Sequence, residues 1–302
     1  MKRILLVADV KGWIFDRHCN EIMRRLSHKY QFGLAYCRGF DVNALSKDYD
    51  LVYVLDPMPI RYPPKEKCII GLRCEFLYTE HPEGAKGLYE KGYHGRCVSI
   101  KDKCSIMHVV NKRQMDAFKD VVTDKPLLLV RHGVDETTFD KNKYDRVERD
   151  NIVVGVAGRL TDNKGGKIIV DACRRCGVNF IAAEYGRRLS KEDMPDFYNK
   201  MDVYVCMSNS EGLNNPTMEA GAMGIPVIST RSGAAEEMLV DGVSGLLIDR
   251  NVESLCEAIE KMKDDKFRVA AGNAFYDEIM KNWLWSVKVN EYDNMFSMLL
   301  KE

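Results

Sequence analysis

Short apolar runs alternate with longer mixed segments along the chain. The first run, Arg3–Ala8, ends at the polar Asp9, and a helical pattern follows to about Lys29. A buried strand, a loop and a helix in this order are typical of an α/β fold with a parallel sheet. Similar runs predict further strands at 32–37, 51–55, 68–71, 97–100, 106–109 and 127–130.

A charged segment, residues 141–151, interrupts this alternation and is predicted to be a linker because it has no apolar period. Beyond it, apolar runs at 151–157, 178–182, 202–207 and 226–229 predict a second set of strands, and the residues from Val252 onward are predicted to be helical. A chain of 302 residues with 45% apolar residues can fill two cores of ordinary domain size.

The segment 202–230 has the clearest local pattern, which is a strand, a polar loop, a short helix and a second strand. Asn215 is predicted to cap the helix, and Pro216 to occupy its first position, where an N–H has no helical partner. The unpaired amides and the positive dipole end would then face the loop, and a phosphate group suits both. Glu211 lies just outside the helix and Glu219 one turn inside it, so two carboxylates flank this terminus.

These residues resemble the E-x7-E signature of retaining nucleotide-sugar glycosyltransferases with the GT-B fold. The resemblance implies that Glu219 holds the ribose of the nucleotide, that Glu211 lies beside the donor sugar, and that the loop amides meet the sugar and the diphosphate. The residues that match the signature are Glu211, Gly212, Leu213, Asn214, Asn215, Pro216, Glu219, Ala220, Gly224, Pro226 and Val227.

Residues 158–166 resemble a second segment of the same family, G-R-L-x-x-x-K-G, and its Gly158, Arg159 and Lys164 are candidates for binding the donor. A diphosphate leaving group gains negative charge as the glycosidic bond breaks, and two fixed cations stabilise that charge most in the transition state. Arg159 and Lys164 would do this without a metal ion. Lys164 is expected at the start of a helix, where a cation is unfavourable unless an anion joins it. The alternative is that both are solvated surface cations.

Three further segments resemble the family and imply its domain organisation. Residues 131–139 are similar to its N-G-V-D…F crossing between domains, and residues 233–248 to its G-G-x-x-E and D-G-x-x-G runs. Trp283 and Trp285 are similar to the aromatic position at which the last helix returns. The implied fold is α/β, with two Rossmann-like domains in the GT-B arrangement and an interdomain cleft. The expected domains are residues 1–131 on the acceptor side, 132–285 on the donor side, and 286–302 as a returning helix.

The first half of the chain shares only the general pattern of the family. Gly12 follows the first strand as in a Rossmann-type opening, although a single glycine is not a dinucleotide fingerprint. His81 lies in the loop after the strand at 68–71, and many enzymes of this family have a first-domain histidine near the donor sugar. His81 is therefore a candidate catalytic residue, while a lone histidine more often has a structural role.

Charge is unevenly distributed although the formal net charge is zero. Through Arg131 the chain has 23 Lys and Arg against 16 Asp and Glu, a balance of +7, and the remaining residues balance at −7. The first half would attract an anionic acceptor, which leaves open a glycan, a lipid-linked sugar or a modified nucleic acid. The alternative is scattered solvated charge without a patch.

The apolar and cysteine patterns bear on the compartment. No run approaches the roughly 18 to 20 apolar residues of a membrane span, so membrane contact is expected to be peripheral. The ten cysteines fall within predicted strands and helices and follow no signal peptide, which favours a reducing cytoplasm. Cys173 and Cys176 form a C-x-x-C, but no second pair stands at the spacing of a zinc site, and no metal or cofactor is predicted.

The sequence and the resemblance together predict a retaining, metal-independent glycosyltransferase that uses a nucleoside-diphosphate sugar as its donor. A nucleotide-sugar epimerase of the same fold and a non-catalytic nucleotide-sugar binding module remain as alternatives. The first would turn over without an acceptor, and the second would bind without turnover. The nucleotide base, the sugar and the acceptor are not predicted.

Overall fold

A computed structural model describes residues 1–73, 100–120, 122–145, 149–183 and 189–301. The chain divides into two compact units. Unit 1 contains Met1–His132 together with Lys288–Glu302, and unit 2 contains Gly133–Val287. Each unit has its own parallel sheet, and this confirms the predicted class of an α/β protein with two Rossmann-like domains.

The sheet of unit 1 has six parallel strands in the order β2-β1-β3-β4-β5-β6. Ile4 of β1 pairs with Phe32 on one side and with Leu51 on the other, so β1 is an interior strand. Interior parallel strands are covered on both faces, which explains why β1 is an unbroken apolar run. The strands are β1 Arg3–Ala8, β2 Gln31–Tyr36, β3 Leu51–Val54, β4 Cys68–Leu72, β5 Ile106–Val109 and β6 Leu127–Leu129.

The helices in the first 132 residues of unit 1 are short except for the first. Asp41 and Asn111 each accept a backbone N–H as the helix cap, from Ala44 at 3.1 Å and from Gln114 at 2.7 Å. The strand predicted at 97–100 is wrong at Ile100, which begins a 3₁₀ turn, because so short an apolar run does not separate strand from turn; its other residues lie outside the described ranges. The α-helices are α1 Ile14–Leu26, α2 Val42–Leu45 and α3 Lys112–Phe118, and the 3₁₀ turns are Ser46–Asp48, Lys65–Lys67 and Ile100–Lys103.

The sheet of unit 2 has five parallel strands in the order β11-β10-β9-β7-β8. After β8 the chain crosses to the other side of β7 and adds the remaining strands there in sequence. The connections on the two sides of β7 therefore diverge, and a crevice opens between the carboxyl ends of β7 and β9. The strands are β7 Val153–Ala157, β8 Asn179–Ala183, β9 Val203–Cys206, β10 Val227–Thr230 and β11 Gly245–Ile248.

The core of unit 2 lies between this sheet and the helices α4 and α8. It contains Val154, Val205 and Ile228 from three strands, with Ile169 and Ile259 from the two helices, all fully buried. The helices of unit 2 are α4 Gly166–Cys176, α5 Met194–Asn199, α6 Asn215–Ala222, α7 Ala235–Met238, α8 Val252–Met262 and α9 Asp265–Asn282, with a 3₁₀ turn at Lys141–Lys143. The last helix, α10 Trp285–Leu300, belongs mostly to unit 1. Within the described ranges no helix is both long and apolar enough to cross a bilayer.

Candidate functional site

A polar cavity of about 130 Å³ lies at the crevice of unit 2. Gly158 and Arg159 enter it from the loop after β7, and Ser208 and Glu211 from the loop after β9. The start of α6 forms a further wall. The predicted site residues that line the cavity are Gly158, Arg159, Lys164, Glu211, Leu213 and Asn214.

Lys164 and Glu211 form an ion pair inside the cavity. The Nζ of Lys164 donates to Oε1 of Glu211, and the Oγ of Ser208 donates to the same oxygen at 2.6 Å. The Glu211 side chain is 14% exposed and that of Lys164 is 37% exposed, so the carboxylate lies deeper than the cation. An anionic ligand that enters the cavity would therefore compete with Glu211 for Lys164.

Lys164 does not begin a helix, and that expectation is wrong. It lies in a turn in which the N–H groups of Lys164 and Gly166 both donate to the carbonyl oxygen of Thr161, at 3.1 and 3.0 Å. Helix α4 starts at Gly166 after Gly165, whose φ of +70° is left-handed. A Cβ at Gly165 would come within 2.7 Å of the Met207 oxygen, so this turn needs a glycine.

The cap of α6 is Asn214 rather than the predicted Asn215. The Oδ1 of Asn214 accepts the N–H of Thr217 at 3.2 Å, and its Nδ2 donates to the Sγ of Cys206 at 3.1 Å. Asn215 and Pro216 are the first two helical residues. A proline fits either of these positions because neither N–H has a helical acceptor, so the Asn-Asn-Pro run alone does not identify the cap.

Glu219 is held by a buried tyrosine. The hydroxyl of Tyr198 donates to Oε2 of Glu219 at 2.7 Å, and Tyr198 is 0% exposed. Burial, together with the charge of Glu219, raises the pKa of Tyr198 well above its ordinary value, so the hydroxyl keeps its proton. Among the described residues, Glu219 is not part of the cavity lining.

The loop at Glu211 and Gly212 rests against the turn after β10. Gly233 has a φ of +56°, and a Cβ there would come within 2.5 Å of the Gly212 oxygen and 2.7 Å of the Glu211 oxygen. Only a glycine combines this left-handed backbone with so close an approach. The absence of a side chain at Gly233 therefore allows the Glu211 loop to pack closely against the turn after β10.

Asp135, from the segment that resembles the N-G-V-D…F crossing, stabilises a turn that leads to Phe139, a neighbour of Tyr198. It accepts hydrogen bonds from the hydroxyls of Thr137 and Thr138 at 2.7 Å and from Lys191 at 2.5 Å. Burial alone would raise the pKa of the Asp135 carboxyl, but these donors outweigh it and hold the pKa below its usual range. Phe139, at the end of the segment, packs edge-on against Tyr198 with ring centroids 6.0 Å apart.

Two predicted site residues lie elsewhere. Gly12 belongs to unit 1, where its N–H donates to Oδ2 of Asp16 at 2.8 Å, and it does not line the cavity of unit 2. His81 lies outside the described residues. Ser208 and Tyr198 are the site residues that the sequence did not indicate. Ser208 could have been selected, because it stands in the polar loop after a predicted strand. The sequence around Tyr198 indicates only a core residue.

Unit 1 contains a buried polar cluster around Arg73 at the carboxyl end of β4. Its Nη1 donates to Nδ1 of His18 at 2.8 Å and lies 3.4 Å from Nδ1 of His132. Its Nη2 donates to the hydroxyls of Tyr53 at 2.8 Å and Tyr292 at 2.7 Å. Arginine has no acceptor, so the nitrogen of His18 that it meets must carry a lone pair.

The remaining features of the described residues are their possible metal ligands and their cysteines. No group of three or more His, Cys, Asp or Glu side chains is arranged to hold a metal ion there. The eight cysteines in those ranges are free thiols, and Cys173 and Cys176 belong to helix α4. Asp50 ends the sequence Asp48-Tyr49-Asp50, which has the D-x-D pattern of some metal sites, but its carboxylate accepts the N–H of Arg3 at 2.8 Å.

Comparison with known proteins matches the chain to glycosyltransferases. Residues 182–265 match the family model "Glycosyl transferases group 1". The capsular polysaccharide biosynthesis glycosyltransferase CapM of Staphylococcus aureus is 26% identical over 190 residues, which cover 54% of this chain and 50% of CapM. The chain spans about half the length of the curated relatives it matches.

Two solved structures share the fold over the whole chain. Sucrose-phosphate synthase from Thermosynechococcus elongatus superposes with a TM-score of 0.79 at 12% identity, with 100% of both chains covered. HepE from Anabaena, solved with UDP and glucose, superposes with a TM-score of 0.75 at 13% identity and covers 99% of this chain and 100% of its own. The two parallel-sheet units of this chain therefore share the GT-B fold with these structures, and residues 182–265 match the family Glycosyl transferases group 1.

Proposed function

We propose that this protein transfers a glycosyl group from a nucleoside-diphosphate sugar to an acceptor, without a metal ion and with retention of the anomeric configuration. One observation carries the proposal: Arg159, Lys164, Glu211 and the start of α6 meet at one cavity, in the crevice where parallel α/β sheets bind ligands. The family match covers the segment that supplies Glu211 and α6.

The diphosphate of the donor fits the positive groups of the cavity. Asn215 and Pro216 open α6 at the cavity wall, so the positive end of the helix dipole is directed to it. Arg159 is exposed at the end of β7 and Lys164 is already directed inward by Glu211. As the sugar leaves, the diphosphate gains charge, and the two cations then stabilise it more than in the ground state.

The two carboxylates have separate tasks in this mechanism. Glu211 orients the donor sugar from the loop after β9, and Glu219 holds the ribose hydroxyls of the nucleotide. Binding of the diphosphate draws Lys164 away from Glu211, so the carboxylate becomes available to sugar hydroxyls only when the anion is in place. The ion pair between Lys164 and the diphosphate replaces the one between Lys164 and Glu211. Binding of the diphosphate and binding of the sugar are thereby coupled.

Retention follows from attack on the face from which the diphosphate leaves. The bond from the anomeric carbon to the diphosphate oxygen breaks while the acceptor oxygen bonds to the same face, and the acceptor proton passes to the departing phosphate. This route needs no covalent nucleophile and no general base from the protein. The cations Arg159 and Lys164 stabilise the phosphate that serves as the base.

The acceptor is assigned to unit 1. The balance of +7 through Arg131 suits an acceptor with an anionic group, such as a lipid-linked sugar, and a lipid-linked acceptor would bring the protein to the cytoplasmic surface of a membrane. HepE has been solved with UDP and glucose. A uridine nucleotide sugar is therefore the first donor to test, followed by guanosine, adenosine and deoxythymidine nucleotide sugars.

The test is release of nucleoside diphosphate from this panel in the presence of EDTA. Wild type, Lys164→Ala and Lys167→Ala would be assayed in parallel, because Lys167 lies on α4 nearby with an 88% exposed side chain. We expect one donor to be hydrolysed slowly by wild type and by Lys167→Ala, and much more slowly by Lys164→Ala. An NMR assignment of the released sugar anomer tests retention.

Other results would point to other functions. Conversion of the donor into the epimeric nucleotide sugar, without nucleotide release, would indicate an epimerase. Tight nucleotide binding without turnover, even with candidate acceptors present, would indicate a binding module. Failure of wild type to bind or cleave any donor would overturn the proposal.

A further inference from the structure

The hydrogen bond between Tyr198 and Glu219 joins two elements that are separate in the chain. Tyr198 lies on α5 and Glu219 lies on α6, and the hydroxyl reaches Oε2 at 2.7 Å. Tyr198 is fully buried, whereas Glu219 is partly exposed. The tyrosine therefore approaches the carboxylate from within the unit and leaves its outer side accessible.

Tyr198 is fixed by the aromatic side chains around it. Its ring meets those of Phe139, Phe197 and Tyr204 with centroids 6.0, 6.0 and 6.2 Å away, in each case edge-to-face. Such pairs have a preferred geometry, and three of them around a fully buried ring restrict the rotamers that it can adopt. The hydroxyl is consequently a donor at a fixed position.

A fixed donor restricts the Glu219 carboxylate. A glutamate on a helix samples several rotamers, and immobilising a side chain of this length has an entropic cost. A hydrogen bond to an ionised carboxylate is stronger than one between neutral groups and directs its plane. The restriction is already present in the unliganded protein, so binding does not have to supply it.

We infer that Tyr198 is a positioning residue that fixes the Glu219 carboxylate for the ribose hydroxyls of the nucleotide, an inference that rests on the proposed function. The other carboxylate has a similar arrangement, because Ser208 donates to Glu211 at 2.6 Å. Glu211 is also held by Lys164, and Glu219 accepts the hydrogen bond of Tyr198. Removal of the Tyr198 hydroxyl should therefore weaken binding of the ribose.

The segment of Asp135 takes part in this arrangement. Asp135 accepts three side-chain hydrogen bonds and so fixes the turn that leads to Phe139, and Phe139 packs on the Tyr198 ring. The segment at the start of unit 2 therefore influences nucleotide binding indirectly, through the contact of Phe139 with Tyr198 and the hydrogen bond of Tyr198 to Glu219. It contributes rigidity to Tyr198 and does not itself meet the ligand.

The test compares Tyr198→Phe with Tyr30→Phe. Tyr30 is a matched control, because it is also buried and its hydroxyl donates to a carboxylate, that of Asp293, at 2.7 Å, but in unit 1. Calorimetry would give the Kd of UDP, GDP or ADP, whichever wild type binds, and of the matching 2′-deoxynucleotide. We expect Tyr198→Phe to weaken binding of the ribonucleotide about 5- to 10-fold and that of the deoxynucleotide less, so that discrimination falls. Tyr30→Phe should leave both Kd values unchanged.

A double-mutant cycle separates positioning from folding. In a Glu219→Ala background, Tyr198→Phe should change the Kd by less than about 2-fold, since the group it positions is gone. Equal losses with and without Glu219, or a fall in Tm at an unchanged Kd, would overturn the inference and leave the proposed function intact. A wild type that binds none of the nucleotides would overturn both.

Discussion

The Cα of Gly233 faces the carbonyl oxygen of Gly212 so closely that a Cβ on Gly233 would lie 2.5 Å from it. The contact joins the turn after β10 to the loop that supplies Glu211. The resemblance to the family included a glycine here without a reason for it. The reason is that the loop passes directly over the position where a side chain would begin.

Replacement of Gly233 by alanine should reduce donor binding. The added Cβ must displace the Glu211–Gly212 backbone, and the left-handed φ adds strain of about 1 kcal/mol. Gly177→Ala is the control, because Gly177 has a φ of +64° with nothing within 4 Å of its Cβ position. We expect both variants to lose stability in urea because of the left-handed φ, Gly233→Ala to lose more because the loop must move, and Gly233→Ala alone to raise the KM for the donor. Equal KM values in both would contradict this role for Gly233.

Loss of either cation should lower turnover more than donor binding. Lys164→Ala and Arg159→Ala remove charge from the group that becomes more negative as the bond breaks, and we expect kcat to fall about 10²- to 10³-fold. The KM for the donor should change much less. Steady-state kinetics with Lys167→Ala as the control measures the difference. A loss confined to KM would mean that the cations bind the donor equally in the ground state.

Loss of Glu219 should have the opposite effect. Glu219→Ala removes a contact that is the same in the ground and transition states, so the KM for the donor should rise about 10-fold while kcat changes little. Glu237→Ala, on the short helix α7, is a suitable control because Glu237 does not line the cavity. A fall in kcat with an unchanged KM would assign Glu219 to the chemical step instead.

Asp135 should make the stability of unit 2 sensitive to acid. Its folded pKa lies below the ordinary value of 3.8, so its contribution is complete at pH values above about 4 and is lost as the pH falls further. Asp135→Asn should therefore lower the free energy of unfolding by about 2 kcal/mol at pH 7 and by progressively less as the pH falls below about 4 toward the folded pKa of Asp135. Urea titrations at pH 7, 5, 4 and 3 measure this difference.

Asp116→Asn provides the comparison for that experiment. Asp116 pairs with Lys119 at 2.9 Å, but its side chain is 71% exposed, and such pairs contribute about 0.5 kcal/mol or less. Its substitution should have a small effect at every pH. If Asp135→Asn behaved like Asp116→Asn, the Lys191 and threonine hydrogen bonds would have no net effect on stability.

The Arg73 cluster should stabilise unit 1 without affecting the nucleotide. Arg73→Met leaves Tyr53, Tyr292 and His18 without a common donor, and we expect a loss of about 3 kcal/mol in the free energy of unfolding. Tyr292→Phe removes one of these bonds and should cost about 1 kcal/mol. Both proteins should bind nucleotide with the wild-type Kd. If the Arg73→Met protein were as stable as wild type, the hydrogen bonds of Arg73 would make no net contribution to the free energy of unfolding.

Several residues that line the cavity of unit 2 could be selected from the sequence because they stand in short local segments. Arg159, Lys164, Glu211 and Asn214 stand in two short loops after two strands, and the strand order brings those loops together. The errors in the prediction were also local. The Asn-Asn-Pro run admits two caps, and the start of α4 depends on a left-handed Gly165 that a helical pattern does not reveal.

The contacts that support the site could not be predicted, because they join residues distant in the chain. Tyr198 and Glu219 are 21 residues apart, and nothing in the sequence around Tyr198 distinguishes its hydroxyl from those of other buried tyrosines. The Arg73 cluster is a stronger case, since Tyr292 lies 219 residues from Arg73. A single sequence carries no signal for such pairs.

The discontinuity of unit 1 has a consequence for how the protein is made. Tyr292 completes the hydrogen bonds of Arg73, and Asp293 accepts that of Tyr30, yet both lie in Lys288–Glu302. Unit 2 is continuous in the chain and can fold as soon as it has left the ribosome. We therefore expect the order of folding to differ from the order of synthesis, with the first 132 residues waiting, partly structured, for the last helix before their core can close.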